Sequence, residues 1–251
     1  MLMVQIRIVK SEPVLILDGK KKYLVITDLH IGFENEFVSN KIEIGKNSTI
    51  NETIEKLKSL IKIEKPDSVI LLGDIKSSIK RISNIEWKEI PYFFEQIKKE
   101  TDLILIPGNH DANIQQMIPH DVTVTNSIGI VIEDTLLTHG HTLPTKNFSN
   151  IKKIIMGHIH PVFFNNNSLL NGQRVWISLK AKKSQIFESS FGELELTVIP
   201  SFNPYFYARK KRFYKKSISP IIEKLKNISE ARIVTLDGTI IGNESILEDL
   251  I

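Results

Sequence analysis

YLVITDLH, residues 23–30, decides the reading of this chain. Its apolar, partly β-branched run predicts a strand over 23–27, buried on both faces, that stops at Asp28-Leu29-His30. The same phrase recurs four times. Strands predicted over 69–72, 102–106, 135–138 and 153–156 run into Gly73-Asp74, Pro107-Gly108-Asn109, His139 and Gly157-His158. Later strands are expected over 175–179 and 194–199. Two helical patterns lie between the early strands. Residues 47–62 place Ile50, Ile54, Leu57 and Ile61 on one face, with Thr49 and Glu52 spaced as a capping box. Residues 85–99 place Ile90, Phe94 and Ile97 inward, with Pro91 expected near the first turn, where a missing N–H costs little. Strands alternating with helices predict an α/β fold, a sheet flanked by helices.

The rest of the chain suits that frame. Its 251 residues are 41% hydrophobic and 25% charged, which excludes a disordered or fibrous chain and is enough to bury a full core. The longest apolar runs, at 69–72, 103–106 and 130–132, fall far short of the ~20 residues that span a bilayer, so no membrane partner is expected. Cysteine is absent, which excludes disulfides, thiolate metal sites and a Cys nucleophile. The opening MLMVQIRIVKSEP has neither a long apolar core nor a small-residue cleavage site, and a cytoplasmic protein is expected. Residues 1–200 read as the main domain and 201–251 as a C-terminal extension packed on it. The extension opens with SFNP at 201–204, has a helical pattern over 218–228, and has a hairpin over 231–241 turning at Asp237-Gly238.

Six of the seven histidines fall in four short patches: DLH at 28–30, GNHD at 108–111, HGH at 139–141 and GHIH at 157–160. His120, beside Pro119 and Asp121, fits no pattern. A lone histidine is more often structural than a ligand, but each of these patches directly follows a predicted strand. In open α/β sheets, ligands bind at the carboxyl ends of strands. Oxygen and imidazole donors without thiolate suit Mn²⁺, Fe²⁺ or Zn²⁺. On an extended segment, both side chains of an Asp-x-His or His-x-His pair point the same way and can reach one metal. The glycines let the backbone come close. Asp28, His30, Asp74, Asn109, His139, His158 and His160 supply the donors that a two-metal site takes. Two metals ~3.5–4 Å apart acidify a water between them and clamp both oxygens of an in-line displacement at phosphorus.

The ordered set D-x-H, G-D, G-N-H-D, H-G-H and G-H-x-H, running from Asp28 to His160, resembles the calcineurin-like metallophosphoesterase superfamily over more than half the chain. The fuller strings DLHIGFE (28–34), GDIK (73–76) and SFNP (201–204) resemble a smaller branch. That branch comprises the SbcD-related archaeal phosphoesterases and bacterial phosphoesterases encoded beside DNA ligase and helicase genes. The resemblance implies a four-layer αββα sandwich, with two facing mixed sheets and the site at one rim. It implies that Asp28, His30 and His160 hold a first metal, that Asp74 bridges, and that Asn109, His139 and His158 hold the second. His110 matches the histidine that protonates the leaving oxygen or stabilises phosphoryl charge. Asp111 is expected to orient His110, and His141 to stand behind the ligands or face substrate. One departure concerns the acid that many relatives carry after G-D, where this chain has Ser77 and Ser78.

The implied activity is phosphoester hydrolysis with two divalent ions, Mn²⁺ ahead of Fe²⁺ or Zn²⁺. A phosphodiesterase acting on nucleic acid or a nucleotide leads, with a small-molecule phosphomonoesterase or diesterase as the alternative. A non-catalytic scaffold of the same fold is a third reading. Relatives of that kind usually lose ligands and the His after Asn, which this chain keeps. The net charge, 33 − 29 = +4, says little alone. The run from Tyr205 to Lys216 says more, because Arg209, Lys210, Lys211 and Arg212 lie among aromatic residues. Cations attract phosphates and rings stack on bases. The plainer reading is a solvated loop anchored by its aromatics. The branch also implies DNA-repair proteins as partners.

Overall fold

The chain builds one sheet before it begins the other. The structure, a computed structural model, describes residues 4–34, 49–79, 81–165, 167–205, 219–243, 245, 247 and 250. The first sheet contains β1 (Gln5–Ile8), β2 (Leu15–Asp18), β3 (Lys22–Ile26), β4 (Ser68–Leu71), β5 (Asp102–Leu105) and β6 (Thr123–Val124), side by side in that order. From β3 to β6 the strands are parallel. The crossovers carry α1 (Thr49–Glu64) and α2 (Asn84–Lys98).

The second sheet contains β7 (Ile130–Ile132), β8 (Thr135–Thr138), β9 (Lys153–Met156), β10 (Val162–Phe163), β11 (Gln173–Lys182) and β12 (Glu193–Val198). After α3 (Pro220–Lys224) it gains β13 (Ile228–Thr235) and β14 (Ile240–Gly242). The order is β14-β13-β11-β12-β9-β8-β7, with β10 also beside β11. Strands β12, β9 and β8 are parallel, and the rest pair antiparallel.

Alternation along the strands sorts the apolar residues into three stacked cores. Leu24 and Ile26 of β3, Val69 and Leu71 of β4, and Leu103 and Leu105 of β5 pack outward against Ile54 and Leu57 of α1 and Phe93, Phe94 and Ile97 of α2. The intervening Val25, Ile70, Leu72 and Ile106 pack inward against Leu137, Ile155, Trp176 and Ile199 from the other sheet. The far face of the second sheet buries Ile154, Val175, Ile177, Leu196 and Ile233 under Ile221 and Ile222 of α3 and Phe187. The four-layer α/β sandwich is therefore present, but its fourth layer is thin. The helix expected over 218–228 shrinks to five residues, since β13 claims the chain from Ile228.

The short strands β1, β2, β6, β7 and β10 have no counterpart among the sequence expectations. Pro91 is the clearest departure. Ser83 caps α2, its side chain accepting from Glu86 N while Glu86 reaches back to Ser83 N, so the helix begins at Asn84 and Pro91 lies inside it. A complete capping box outweighs the preference of proline for a first turn. Thr49 is likewise already helical, and Glu52 accepts a hydrogen bond from Tyr205 Oη at 3.1 Å. No helix among the described residues is long and apolar enough to cross a membrane.

Candidate metal centre

Parallel strands of both sheets deliver their carboxyl ends to one rim. Asp28 and His30 follow β3, Asp74 follows β4, Asn109 and His110 follow β5, His139 follows β8, and His158 and His160 follow β9. The side chains converge by a route the sequence did not reveal. Asp28, His30, Asp74, His158 and His160 all have φ between 45° and 72°. The pairs Asp28/His30 and His158/His160 are thus on left-handed turns, not on an extended segment. It is these left-handed turns, and not the same-side geometry of an extended strand, that bring each pair together. Non-glycine residues in this region store strain and are characteristic of functional sites. The neighbouring glycines are fixed by space, since a Cβ at Gly108 would collide with Asp74 Oδ1 and one at Gly157 with Thr27 Oγ1.

The ligand-type atoms form two groups that share one residue. Asp28, His30, Asp74 and His160 each offer an atom within 4.8 Å of the others, and so do Asp74, His139 and His158. In the first group His160 Nε2 is 3.1 Å from Asp28 Oδ1 and 3.2 Å from His30 Nε2. In the second, His139 Nε2 is 3.2 Å from Asp74 Oδ2. Asn109 Oδ1 is buried with no hydrogen-bond partner, which suits a ligand for a hard cation. The donor set, carboxylate, carboxamide and imidazole, fits divalent ions of the Mn, Fe and Zn type.

The charges in this cluster balance one another. Burial opposes ionisation of Asp28, but the imidazoles of His160 and His139 outweigh it and hold the carboxyl at about 2. Against the same burial, His139, His30 and His110 hold Asp74 well below the ordinary carboxylate range. Burial would lower His139, yet the Asp74 and Asp28 carboxylates and the Leu72 carbonyl raise it to about 9. Burial and then His160 push His30 down to about 3. A cation needs deprotonated ligands. The carboxylates and His30 already meet that need, and His139 would exchange its proton for the ion.

A sequence model of calcineurin-like phosphoesterases matches residues 21–183. The chain belongs to that family. It is accordingly a metal-dependent phosphoester hydrolase. Among solved structures it is similar to nuclease MPE of Pseudomonas putida, at 17% identity over 94% of this chain and 98% of that one, with a TM-score of 0.55. It also matches Yfce, a phosphoesterase from E. coli, at 16% identity over 88% of this chain and 97% of that one, with a TM-score of 0.39. No curated protein matches its sequence.

Around the metal groups this phosphoesterase departs from the expected contacts. His110 Nδ1 is 2.5 Å from Ser77 O, while its Nε2 is 3.8 Å from Asp74 Oδ2. Both oxygens of Asp111 are taken by backbone N–H groups of Gly108, Ile75 and Lys76. Asp111 therefore holds the two ligand loops together, and the Ser77 carbonyl orients His110. Burial and then the Asp74 charge raise Asp111 to about 6. His141 is half-buried with its ring centroid 5.3 Å from that of His139, outside both groups; burial lowers it to about 4. Phe33 is buried and stacks on Tyr205, with centroids 5.9 Å apart. Arg209, Lys210, Lys211 and Arg212 lie outside the described residues.

Sequence reasoning missed Glu86. The 73–78 loop lacks a second acid of its own, and Glu86 of α2 serves it instead, accepting from Ser78 N at 2.8 Å and Ser78 Oγ at 2.7–2.8 Å. The capping-box spacing Ser83–Glu86 was the available signal. Burial alone would raise the Glu86 carboxyl, but hydrogen bonds from Ser78 and Ser83 outweigh it and hold its pKa below the ordinary value. A depressed folded-state pKa stabilises above the unfolded pKa and loses that contribution as pH falls through the folded value. Glu86→Gln should therefore cost about 1–3 kcal/mol at neutral pH. Chemical denaturation should find the gap from wild type closing in acid; a gap independent of pH would contradict this account of Glu86.

Proposed function

We propose that the chain is a two-metal phosphodiesterase whose substrates are nucleic acids or nucleotides. The observation that carries the two-metal reading is that Asp74 belongs to both groups of ligand atoms. On this reading Asp28, His30 and His160 hold the first ion, Asn109, His139 and His158 the second, and Asp74 both. Two divalent ions bound there would supply Lewis acidity, taking up phosphoryl charge and acidifying the attacking water. Manganese is the first ion to try, since all donors are oxygen or imidazole nitrogen. The chain itself supplies the proton for the leaving oxygen. With Nδ1 committed to Ser77 O, Nε2 of His110 is the ring nitrogen that would pass a proton to the leaving oxygen, on the side nearest Asp74.

The diester preference rests on the basic run, not on the structural neighbour, whose likeness is one of fold. The described residues flanking that run are tied to the site loops. Tyr205 N donates to Asn203 Oδ1, and Asn203 binds Leu29 O. Ser219, fully buried, donates to Gly140 O between His139 and His141. Arg209, Lys210, Lys211 and Arg212 are proposed as contacts to substrate phosphates.

Hydrolysis of bis-p-nitrophenyl phosphate beside p-nitrophenyl phosphate, with Mn²⁺, tests the proposal. Faster diester cleavage is expected. Monoester cleavage alone would make the protein a phosphatase. Silence on both with metal bound would favour the scaffold reading.

A further inference from the structure

We infer that Ser201 and Asn203 are positioning residues for the first metal group, and that Arg174 anchors them; the metal part of this inference rests on the two-metal reading above. Asp28 and His30 are separated by one residue, and both are left-handed, with φ of 57° and 45°. Such a turn needs its backbone groups fixed from outside. Its N–H groups are taken by the neighbouring ligand loop: Asp28 N donates to Gly73 O at 3.1 Å and His30 N to Asp74 O at 3.0 Å. Its carbonyls are taken by residues more than 170 positions away. Phe202 N donates to Thr27 O at 2.9 Å, Ser201 Oγ to Asp28 O at 2.8 Å, and Asn203 Nδ2 to Leu29 O at 2.9 Å. Asn203 N adds a longer bond to Asp28 O at 3.4 Å.

Ser201, Phe202 and Asn203 are all buried, so this strap exchanges no bonds with solvent. It is itself held from β11, where Arg174 Nη1 donates to Ser201 O at 2.7 Å and Phe202 O at 3.2 Å. The strap lies beyond residues 21–183, the part matched by the family. Four of its hydrogen bonds fall on the carbonyls of 27–29, the loop that carries Asp28 and His30, and Ser201 Oγ also reaches Asn203 O at 3.2 Å. The consequence is asymmetric. The strap holds the loop that carries Asp28 and His30, which belong to the first group alone, while Asp28 Oδ2 in turn accepts from His158 N at 3.1 Å. Partners of metal ligands typically contribute 10–100-fold in metal affinity.

The test titrates metal-free full-length protein with Mn²⁺, counting ions bound and following amide exchange over 27–30 without metal. Ser201→Ala and Asn203→Asp, which keeps Oδ1 but loses the Nδ2 donor, should each weaken one ion by 10–100-fold, spare the other, and speed exchange over 27–30. Ser201→Thr keeps the hydroxyl and should restore both readouts. Unchanged affinities and exchange, or equal weakening of both ions with no rescue by Ser201→Thr, would overturn the strap. Should Ser201→Ala fail to fold, Asn203→Asp and Ser201→Thr decide by the same readouts. A wild type that binds fewer than two ions would sink the two-metal reading alone, and the exchange of the metal-free variants would still decide the strap.

Discussion

Asp74→Asn should empty both metal groups at once and lower turnover by about 10³-fold or more, the several kcal/mol that metal ions supply to phosphoryl chemistry. Asp74 is the residue common to the two groups. Its Oδ2 lies 3.2 Å from His139 Nε2, 3.9 Å from His30 Nε2 and 3.8 Å from His110 Nε2, so one carboxylate serves three imidazoles. Asparagine keeps the shape and an oxygen for the His110 N–H, which lies 2.9 Å from Asp74 Oδ1. What it removes is the charge that both ions need. His158→Ala offers the contrast, because it belongs to the second group only and should spare the first ion. Metal content and turnover of the two variants check this together. An Asp74→Asn protein that keeps two ions would refute the shared-carboxylate geometry.

His110→Ala should cut turnover by about 10²–10⁴-fold with metal retained, the usual contribution of a positioned general acid. His110 belongs to neither group of ligand atoms. Its ring is tied by Nδ1 to the Ser77 carbonyl, and its backbone N–H bond to Asp74 survives truncation. The leaving group sharpens the prediction. p-Nitrophenolate departs without much help, whereas a sugar alkoxide needs a proton. The loss should therefore be larger on a dinucleotide than on bis-p-nitrophenyl phosphate. Equal losses on both, or loss of metal in the variant, would remove His110 from the role of acid.

The site was legible because its chemistry is written directly after strands. Five short apolar runs lead directly or within three residues into Asp, Asn or His, and parallel strands in both sheets carry those ends to one rim. The central strands were legible for a related reason, since strands buried on both faces are continuous apolar runs. What the sequence hid falls into two kinds. The left-handed backbone at Asp28, His30, Asp74, His158 and His160 leaves no local signature, because none of these residues is glycine. The other kind is long-range. Ser201 and Asn203 meet Asp28 and Leu29 across 173 and 174 residues, and His110 meets the Ser77 carbonyl across 33. No spacing rule reaches that far. Pro91 misled because a residue-level preference was weighed without the capping box that opens at Ser83, eight residues ahead of it.

Anomalous diffraction at the manganese edge, from crystals of the wild-type protein grown with Mn²⁺, tests the central claim most directly. Two peaks are expected, one among Asp28, His30 and His160, the other among Asn109, His139 and His158, with the Asp74 carboxylate between them. A single peak, or two peaks that do not share Asp74, would contradict it.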